Sequence, residues 1–337
     1  MAKIVFFCHD TLEAIEKIEY YQQDVLALRR LGHHVIICNR VIDLPLVFDL
    51  IYVWWWTHAL FPVILSKILG GKSVITGVLN FRHNISVNAN DYFARPAWQK
   101  WLIKNAIILA DMNLFVSKSE YIECSDYFKL KIVDYSPCSV GEEYQQSASY
   151  GSIPSFLNIC WSGRLNLRRK GVFDILDAAK ILIDRGVRPC ITLAGKQGDG
   201  YNELIKGVRL RGLEHCVNVV GEISKLEKLR LYKESSIYLQ PSYYEGFGLA
   251  SVEAMASGAT VITCDVGEVK HVVGDAAIYI NPGNALELAN AMYKAMTDTG
   301  MCSEIKHLGR MRVKNLFSFE AKVSVMREAL KRIDITS

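Results

Sequence analysis

No stretch of this 337-residue chain approaches the roughly 18 consecutive apolar residues that a membrane span needs. The nearest, Ala59 to Leu69, is short and is interrupted by Pro62 and Lys67. Paired cysteines are also missing. Nine cysteines are scattered singly with no Cys-x-x-Cys, a pattern that argues against zinc and for free thiols in a reducing cytoplasm. The start, Met1 to Cys8, lacks the basic residues, long apolar run and small-residue cleavage site of a secretion signal, and reads as a buried strand. Charge of one sign is scarce too: a net +4 is far too small to imply nucleic acid as a partner. It suits an anionic substrate, or contact with an anionic membrane surface, so the expected location is the cytoplasm, at most touching the inner face of a membrane. Short internal repeats and low-complexity tracts are absent.

What is present is a folded, two-domain composition. Half of the residues are hydrophobic and 22% are charged, and the length exceeds what one core usually serves. Short β-rich runs alternate with helical patterns throughout. In the first half the strands read as Ile4–Cys8, His34–Cys38, Leu50–Trp55, Ser73–Ile75, Asn113–Val116 and Ile132–Val133. Between the first two, Ile15, Ile18, Tyr21, Val25, Leu28 and Leu31 recur at helical spacing, and Gly32 stands where a C-terminal cap belongs. The pattern restarts with strands at Asn158–Trp161, Ile191–Ala194, Val217–Val220, Ile237–Leu239 and Val261–Cys264. Helices fill Phe173–Arg185, Asn202–Arg211, Lys225–Lys233 and Leu249–Ser257. The polar stretch from Gly141 to Pro154 reads as the linker, giving domains over 1–150 and 151–317, with a final helix near 318–337 that returns to the first. The expected fold class is α/β: two Rossmann-like, doubly wound domains facing across a cleft, with ligands at the carboxyl ends of parallel strands.

Two segments carry chemistry. After the strand ending near Trp161, Ser162 and Gly163 lead into Arg164, Arg168, Arg169 and Lys170 before a helix starts near Gly171. Guanidinium forks and bare N–H groups at such a turn hold a pyrophosphate; a solvated basic loop is the alternative. The second runs Pro241-Ser242-Tyr243-Tyr244-Glu245-Gly246-Phe247-Gly248-Leu249 to Glu253. On one continuous helix the two glutamates would stand about 80° apart. The glycines instead place Glu245 in a loop ahead of a helix that begins near Gly248, with Glu253 on that helix. Carboxylates in that setting accept from paired hydroxyls, as sugars and riboses present. Gly195-x-x-Gly198-x-Gly200 lacks the order and the trailing acid of a dinucleotide fingerprint, which disfavours a nicotinamide dehydrogenase.

With these residues in view, the sequence resembles the retaining glycosyltransferases of family 4, which have the GT-B fold, over nearly the whole chain and most strongly from Trp161 to Val273. The resemblance implies that Gly163, Arg164 and Lys170 bind the donor diphosphate. It implies that Glu245 with the N–H groups of Gly246, Phe247, Gly248 and Leu249 holds the donor sugar, and that Glu253 holds the ribose. Ile223, in Gly221-Glu222-Ile223-Ser224, matches the loop beside the base, and Asn281-Pro282-Gly283 fits the family's closing portion. The implied activity is transfer of a sugar from a nucleoside-diphosphate sugar to a glycan or lipid-linked acceptor, with retention, as in surface polysaccharide or glycoconjugate synthesis. No metal and no other cofactor is implied, and the sequence contains no Asp-x-Asp. In the first half the pattern departs from the family. The loop Phe7-Cys8-His9-Asp10-Thr11-Leu12-Glu13 has no Gly-Gly pair, and Thr76 is not followed at once by His, leaving His83 or Asn80 for that place near the reacting sugar. Trp54-Trp55-Trp56 with His58 offers aromatic faces to an acceptor, or packs in the core. Two other classes stay open: a nucleotide-sugar epimerase, and an inactive binding subunit of the same shape.

Overall fold

The computed structural model describes residues 1–81, 92–130, 132–145, 155–160, 167–195 and 200–336. Two compact units emerge: Met1–Gly141 with Leu316–Ser337, and Glu142–Asn315. Strands of the first are β1 (Lys3–Cys8), β2 (His34–Cys38), β3 (Leu50–Trp54), β4 (Lys72–Gly77), β5 (Met112–Phe115) and β6 (Val133–Tyr135). They form one sheet in the order β2-β1-β3-β4-β5-β6, every pairing parallel. Parallel strands are joined by crossover helices that cover both faces, which is why β1 and β3 read as unbroken apolar runs and are buried almost throughout.

Strands of the second unit are β7 (Ser155–Cys160), β8 (Cys190–Gly195), β9 (Val217–Gly221), β10 (Ile237–Gln240), β11 (Thr260–Cys264) and β12 (Ala277–Ile280). Their order is β12-β11-β10-β7-β8-β9, again all parallel. From β7 the chain winds outward to β9, then returns to β10 on the other side of β7. In the first sheet the reversal falls between β1 and β3. Doubly wound sheets bind ligands at such reversals, beyond the carboxyl ends of the strands.

Several boundaries differ from the sequence reading. The periodic run after β1 forms two helices, Leu12–Lys17 and Glu19–Arg30, because Ile18 is extended (φ −81°, ψ 122°). Trp55 leaves β3 with φ 76°, so the strand ends at Trp54. Strand β12, whose Ala277-Ile278-Tyr279-Ile280 is short and half-buried, carries too weak a pattern to be read from sequence.

The carboxyl-terminal helix Phe319–Lys331 packs on Glu19–Arg30 in the first unit. A buried ion pair fixes it there: Lys322 Nζ lies 2.7 Å from Asp24 Oδ1, their side chains 2% and 1% exposed. Each partner is otherwise satisfied. Asp24 Oδ2 accepts from the Tyr52 hydroxyl at 2.8 Å and Trp54 Nε1 at 2.9 Å, while Lys322 donates to Ser136 Oγ and the Pro137 carbonyl. Removing one partner strands the other charge, which costs about 3–5 kcal/mol. Lys322→Ala is therefore expected to lower the urea midpoint of the first unit by that equivalent; a midpoint equal to the parent would contradict this role.

Candidate functional site

The second sheet reverses between β7 and β10, and the loops that follow these strands meet there. Residues 167–171 turn into the helix Val172–Asp184, with Gly171 left-handed (φ 66°) at its N-cap. A Cβ on Gly171 would overlap the carbonyl of Pro241, so only glycine allows the two loops this approach. The Tyr243 N–H donates to the Arg169 carbonyl at 2.8 Å and fixes the register between them. The loop after β11 closes the other side. Glu268 N–H donates to the Glu245 carbonyl at 3.2 Å, and a Cβ on Gly267 (φ +56°) would overlap that same oxygen.

Within this frame Glu245 is 8% exposed, and its Oε1 accepts from Lys170 Nζ at 2.6 Å and from Ser242 Oγ at 2.7 Å. The structure thus brings together Lys170 and Glu245, residues 75 apart in the chain. Directly after them Gly246 is half-buried, Phe247 and Gly248 are buried, and the helix Leu249–Ala256 starts at Leu249. Gly248 (φ 87°) is its N-cap and no side chain caps it, so its first N–H groups retain the partial positive charge of a helix start. Below that start Gln240 accepts from Ser251 Oγ at 2.8 Å, while its buried Nε2 has no partner among the described residues.

Glu253, on the same helix, has a different environment. It is 4% exposed; Oε1 accepts from Lys228 Nζ at 2.7 Å and Tyr144 at 3.1 Å, and Oε2 from Tyr232 at 3.0 Å. Burial first, then the Glu253 charge, pushes the Tyr232 phenol well above its ordinary range, so it remains a donor. Lys228 lies on the helix Lys225–Glu234, whose start is set by a Ser224–Glu227 capping box, and the buried Ile223 precedes it in the loop after β9. Lys228, Tyr144, Tyr232 and Gly267 did not stand out in the sequence, and Ser242 did so only as part of the segment around Glu245. Only the Ser224-x-x-Glu227 pattern hinted at one of them, by fixing the helix that carries Lys228. Of the other cations, Arg168 pairs with Glu203 on the exposed surface. Gly163, Arg164 and His83 lie outside the described residues, as does most of the Gly195–Gly200 loop.

In the first unit the tryptophan run divides between two roles. Trp54 and Trp56 are both 2% exposed, the first donating to Asp24 and the second to Asn113 while stacking on Phe115. Only Trp55 is partly exposed, and its N–H is taken by the Tyr21 hydroxyl. At the reversal of this sheet the His9 and His58 rings stack with centroids 4.2 Å apart. Burial first, then the neighbouring His9, lowers the His58 pKa below its ordinary value. Asn80 stands in a left-handed conformation (φ 56°) in a loop whose Leu79 and Phe81 N–H groups both donate to the buried Glu120 carboxylate.

Residues 148–312 match the profile of the family described as glycosyl transferases group 1. Among curated proteins, the capsular polysaccharide biosynthesis glycosyltransferase CapM of Staphylococcus aureus is 28% identical over 162 residues. That match takes in 48% of this chain and 42% of CapM, so the chain spans less than half of that relative. Among solved structures, the sucrose-phosphate synthase of Thermosynechococcus elongatus superposes with a TM-score of 0.78 at 20% identity, covering 98% of this chain and 99% of that one. Anabaena HepE, solved in complex with UDP and glucose, gives 0.75 at 17% identity, covering 98% and 100%. The fold is accordingly GT-B, with two Rossmann-like domains.

The glycine contacts make a direct prediction. Gly171→Ala and Gly267→Ala each meet both a left-handed backbone and a carbonyl oxygen, and are expected to lower stability by more than about 1–3 kcal/mol. Gly186→Ala, at φ +81° with open space around it, serves as the control and should cost only about 1–2 kcal/mol. Thermal unfolding of the three variants compares them; equal losses would contradict the close approach.

Proposed function

We propose that this protein transfers a sugar from a nucleoside-diphosphate sugar to a glycan or lipid-linked acceptor, with retention of configuration, a reading supported by the match of residues 148–312 to the group 1 glycosyl transferases. The observation that carries this reading is the Lys170–Glu245–Ser242 cluster at the reversal of the second sheet, beside an uncapped helix start. One cation, one carboxylate and a helix start that no side chain caps, side by side, suit a ligand that is anionic at one end and rich in hydroxyls at the other.

In this reading Lys170, together with Arg164 and Gly163, holds the donor diphosphate and stabilises the charge that develops as it leaves. Each charge-assisted hydrogen bond contributes about 1.5–3 kcal/mol, roughly ten- to a hundredfold in affinity. Glu245 accepts from the sugar hydroxyls and orients the ring, with the N–H groups of Gly246 to Leu249 beside it. Ile223 borders the base, and Glu253 serves the ribose once Lys228 and the two tyrosines share it. The acceptor hydroxyl attacks from the face the diphosphate leaves, and a phosphate oxygen takes its proton. By the family resemblance, the role of the histidine that serves the reacting sugar falls to His83 or Asn80. No metal is needed, since cations and helix N–H groups neutralise the diphosphate. The UDP and glucose bound by HepE support a nucleotide sugar as donor and make UDP-sugars the first to test.

A thermal-shift panel of UDP-, GDP-, ADP- and dTDP-sugars, each against its bare nucleotide, names the donor. With that donor, Glu245→Gln is expected to lower kcat by about 10²–10³-fold while bare-nucleotide affinity stays within about threefold. Turnover of the donor without any acceptor would favour the epimerase reading. Donor binding without turnover on a broad acceptor panel would favour an inactive subunit. Full transfer by Glu245→Gln would remove Glu245 from the site.

A further inference from the structure

We infer that the paired helices Leu60–Leu69 and Ala97–Leu109 of the first unit form a docking surface for an anionic lipid bilayer. Both helices pack on the same core, the first through Val63 and the second through Ile103, Ala106 and Ile107, and they contact each other. Their inner faces are therefore accounted for. Their outer faces are not polar, as a solvated helix face would be. On Ala97–Leu109 the exposed stripe runs Trp98, Trp101, Lys104, Ile108, at three- and four-residue spacing. Trp98 is 66% and Trp101 60% exposed. The neighbouring helix presents Phe61, Ile64 and Ile68 in the same way, Ile68 at 74% exposure. A lone exposed leucine needs no explanation, but two tryptophans, a phenylalanine and three isoleucines exposed on two helices that touch are an unusual amount of apolar surface.

Charge selects the occupant. Between Asp49 and Asp111 the sequence holds a single acidic residue, Asp91, against Lys67, Lys72, Arg82, Arg95, Lys100 and Lys104; Lys67 is neutralised by Asp111 and Lys72 by Asp334, while Lys104 stands exposed in the apolar stripe. Neither helix contains an aspartate or glutamate. Lysine is depleted from protein–protein interfaces, where burying its ammonium is costly. At a bilayer the opposite holds: the stem lies along the apolar layer, the ammonium reaches the anionic headgroups, and tryptophan prefers that depth. Helices of 10 and 13 residues are too short to cross, so they lie in the plane of the interface. No helix among the described residues is long and apolar enough to span. None of this depends on which nucleotide sugar the second unit takes.

The test uses the full chain, with no donor added, floated with phosphatidylcholine vesicles with and without phosphatidylglycerol. Binding is expected to the anionic vesicles and to fall as salt is raised. The double variant Trp98→Ser/Trp101→Ser should weaken it about tenfold or more, and Lys100→Gln/Lys104→Gln about fivefold or more. Trp98, Trp101 and Lys104 are exposed, and the half-buried Lys100 donates only a long hydrogen bond, 3.4 Å to the Phe93 carbonyl, so circular dichroism and melting should stay close to the parent. Native protein that leaves the anionic vesicles unbound, or tryptophan variants that bind like the parent, would overturn the proposal. So would variants that leave lipid binding intact and instead convert a dimer to a monomer in light scattering, which would make the face a contact between copies.

Discussion

Backbone passes closer to backbone at two points of the second unit than any side chain would allow. Gly171 lies against the Pro241 carbonyl and Gly267 against that of Glu245. Both glycines sit in loops at the carboxyl ends of strands that flank β10, after β7 and after β11, and both are left-handed, which a side chain would penalise even in open space. The loop from Pro241 to Gly248 is thereby held on both sides. With the loop fixed, Lys170 can meet Glu245 at 2.6 Å with little conformational freedom left to lose when a ligand arrives. A partly buried pair of this kind gains little for folding after both charges are desolvated. Its use is positional: an ammonium and a carboxylate stand side by side at the reversal of a doubly wound sheet, where ligands of such sheets bind.

The first unit is stabilised through a different contact. Its carboxyl-terminal helix comes back after the whole second unit and is tied in by Lys322 on Asp24. Asp24 is also the acceptor for Tyr52 and Trp54, so the ion pair, β3 and the helix Glu19–Arg30 form one network. That network explains why Trp54 is core and not ligand surface, and the Trp56–Asn113 hydrogen bond does the same for Trp56. Trp55 alone of the run stays partly exposed, and the most exposed tryptophans are elsewhere, at Trp98 and Trp101.

Much of the architecture is legible in the residues because parallel strands buried on both faces leave continuous apolar runs, as in Val5-Phe6-Phe7 and Ile51-Tyr52-Val53. Strand order was not legible, since nothing local in β10 says that it pairs with β7. The same holds for the site. Gly-flanked Glu245 and the cations before Gly171 are visible as local patterns. The partners of Glu253 are not, because Tyr144 is 109 residues away and Lys228 is 25 away on an otherwise ordinary solvated helix. The break at Ile18 escaped for a related reason: the periodicity continues through it, and only its extended backbone shows that two helices are present. Arg164, Gly163 and His83 remain assigned by sequence alone, as they lie outside the described residues.

The central claim is that Lys170 stands where a diphosphate binds, and calorimetry with nucleotides differing by one phosphate addresses it directly. UMP and UDP, or the corresponding pair for whichever base binds, are titrated into the parent protein and into Lys170→Ala. If Lys170 contacts the distal phosphate, the advantage of the diphosphate over the monophosphate should shrink by about ten- to a hundredfold in the variant while monophosphate affinity changes little. An unchanged ratio between the two nucleotides, in a variant that folds normally, would contradict the account.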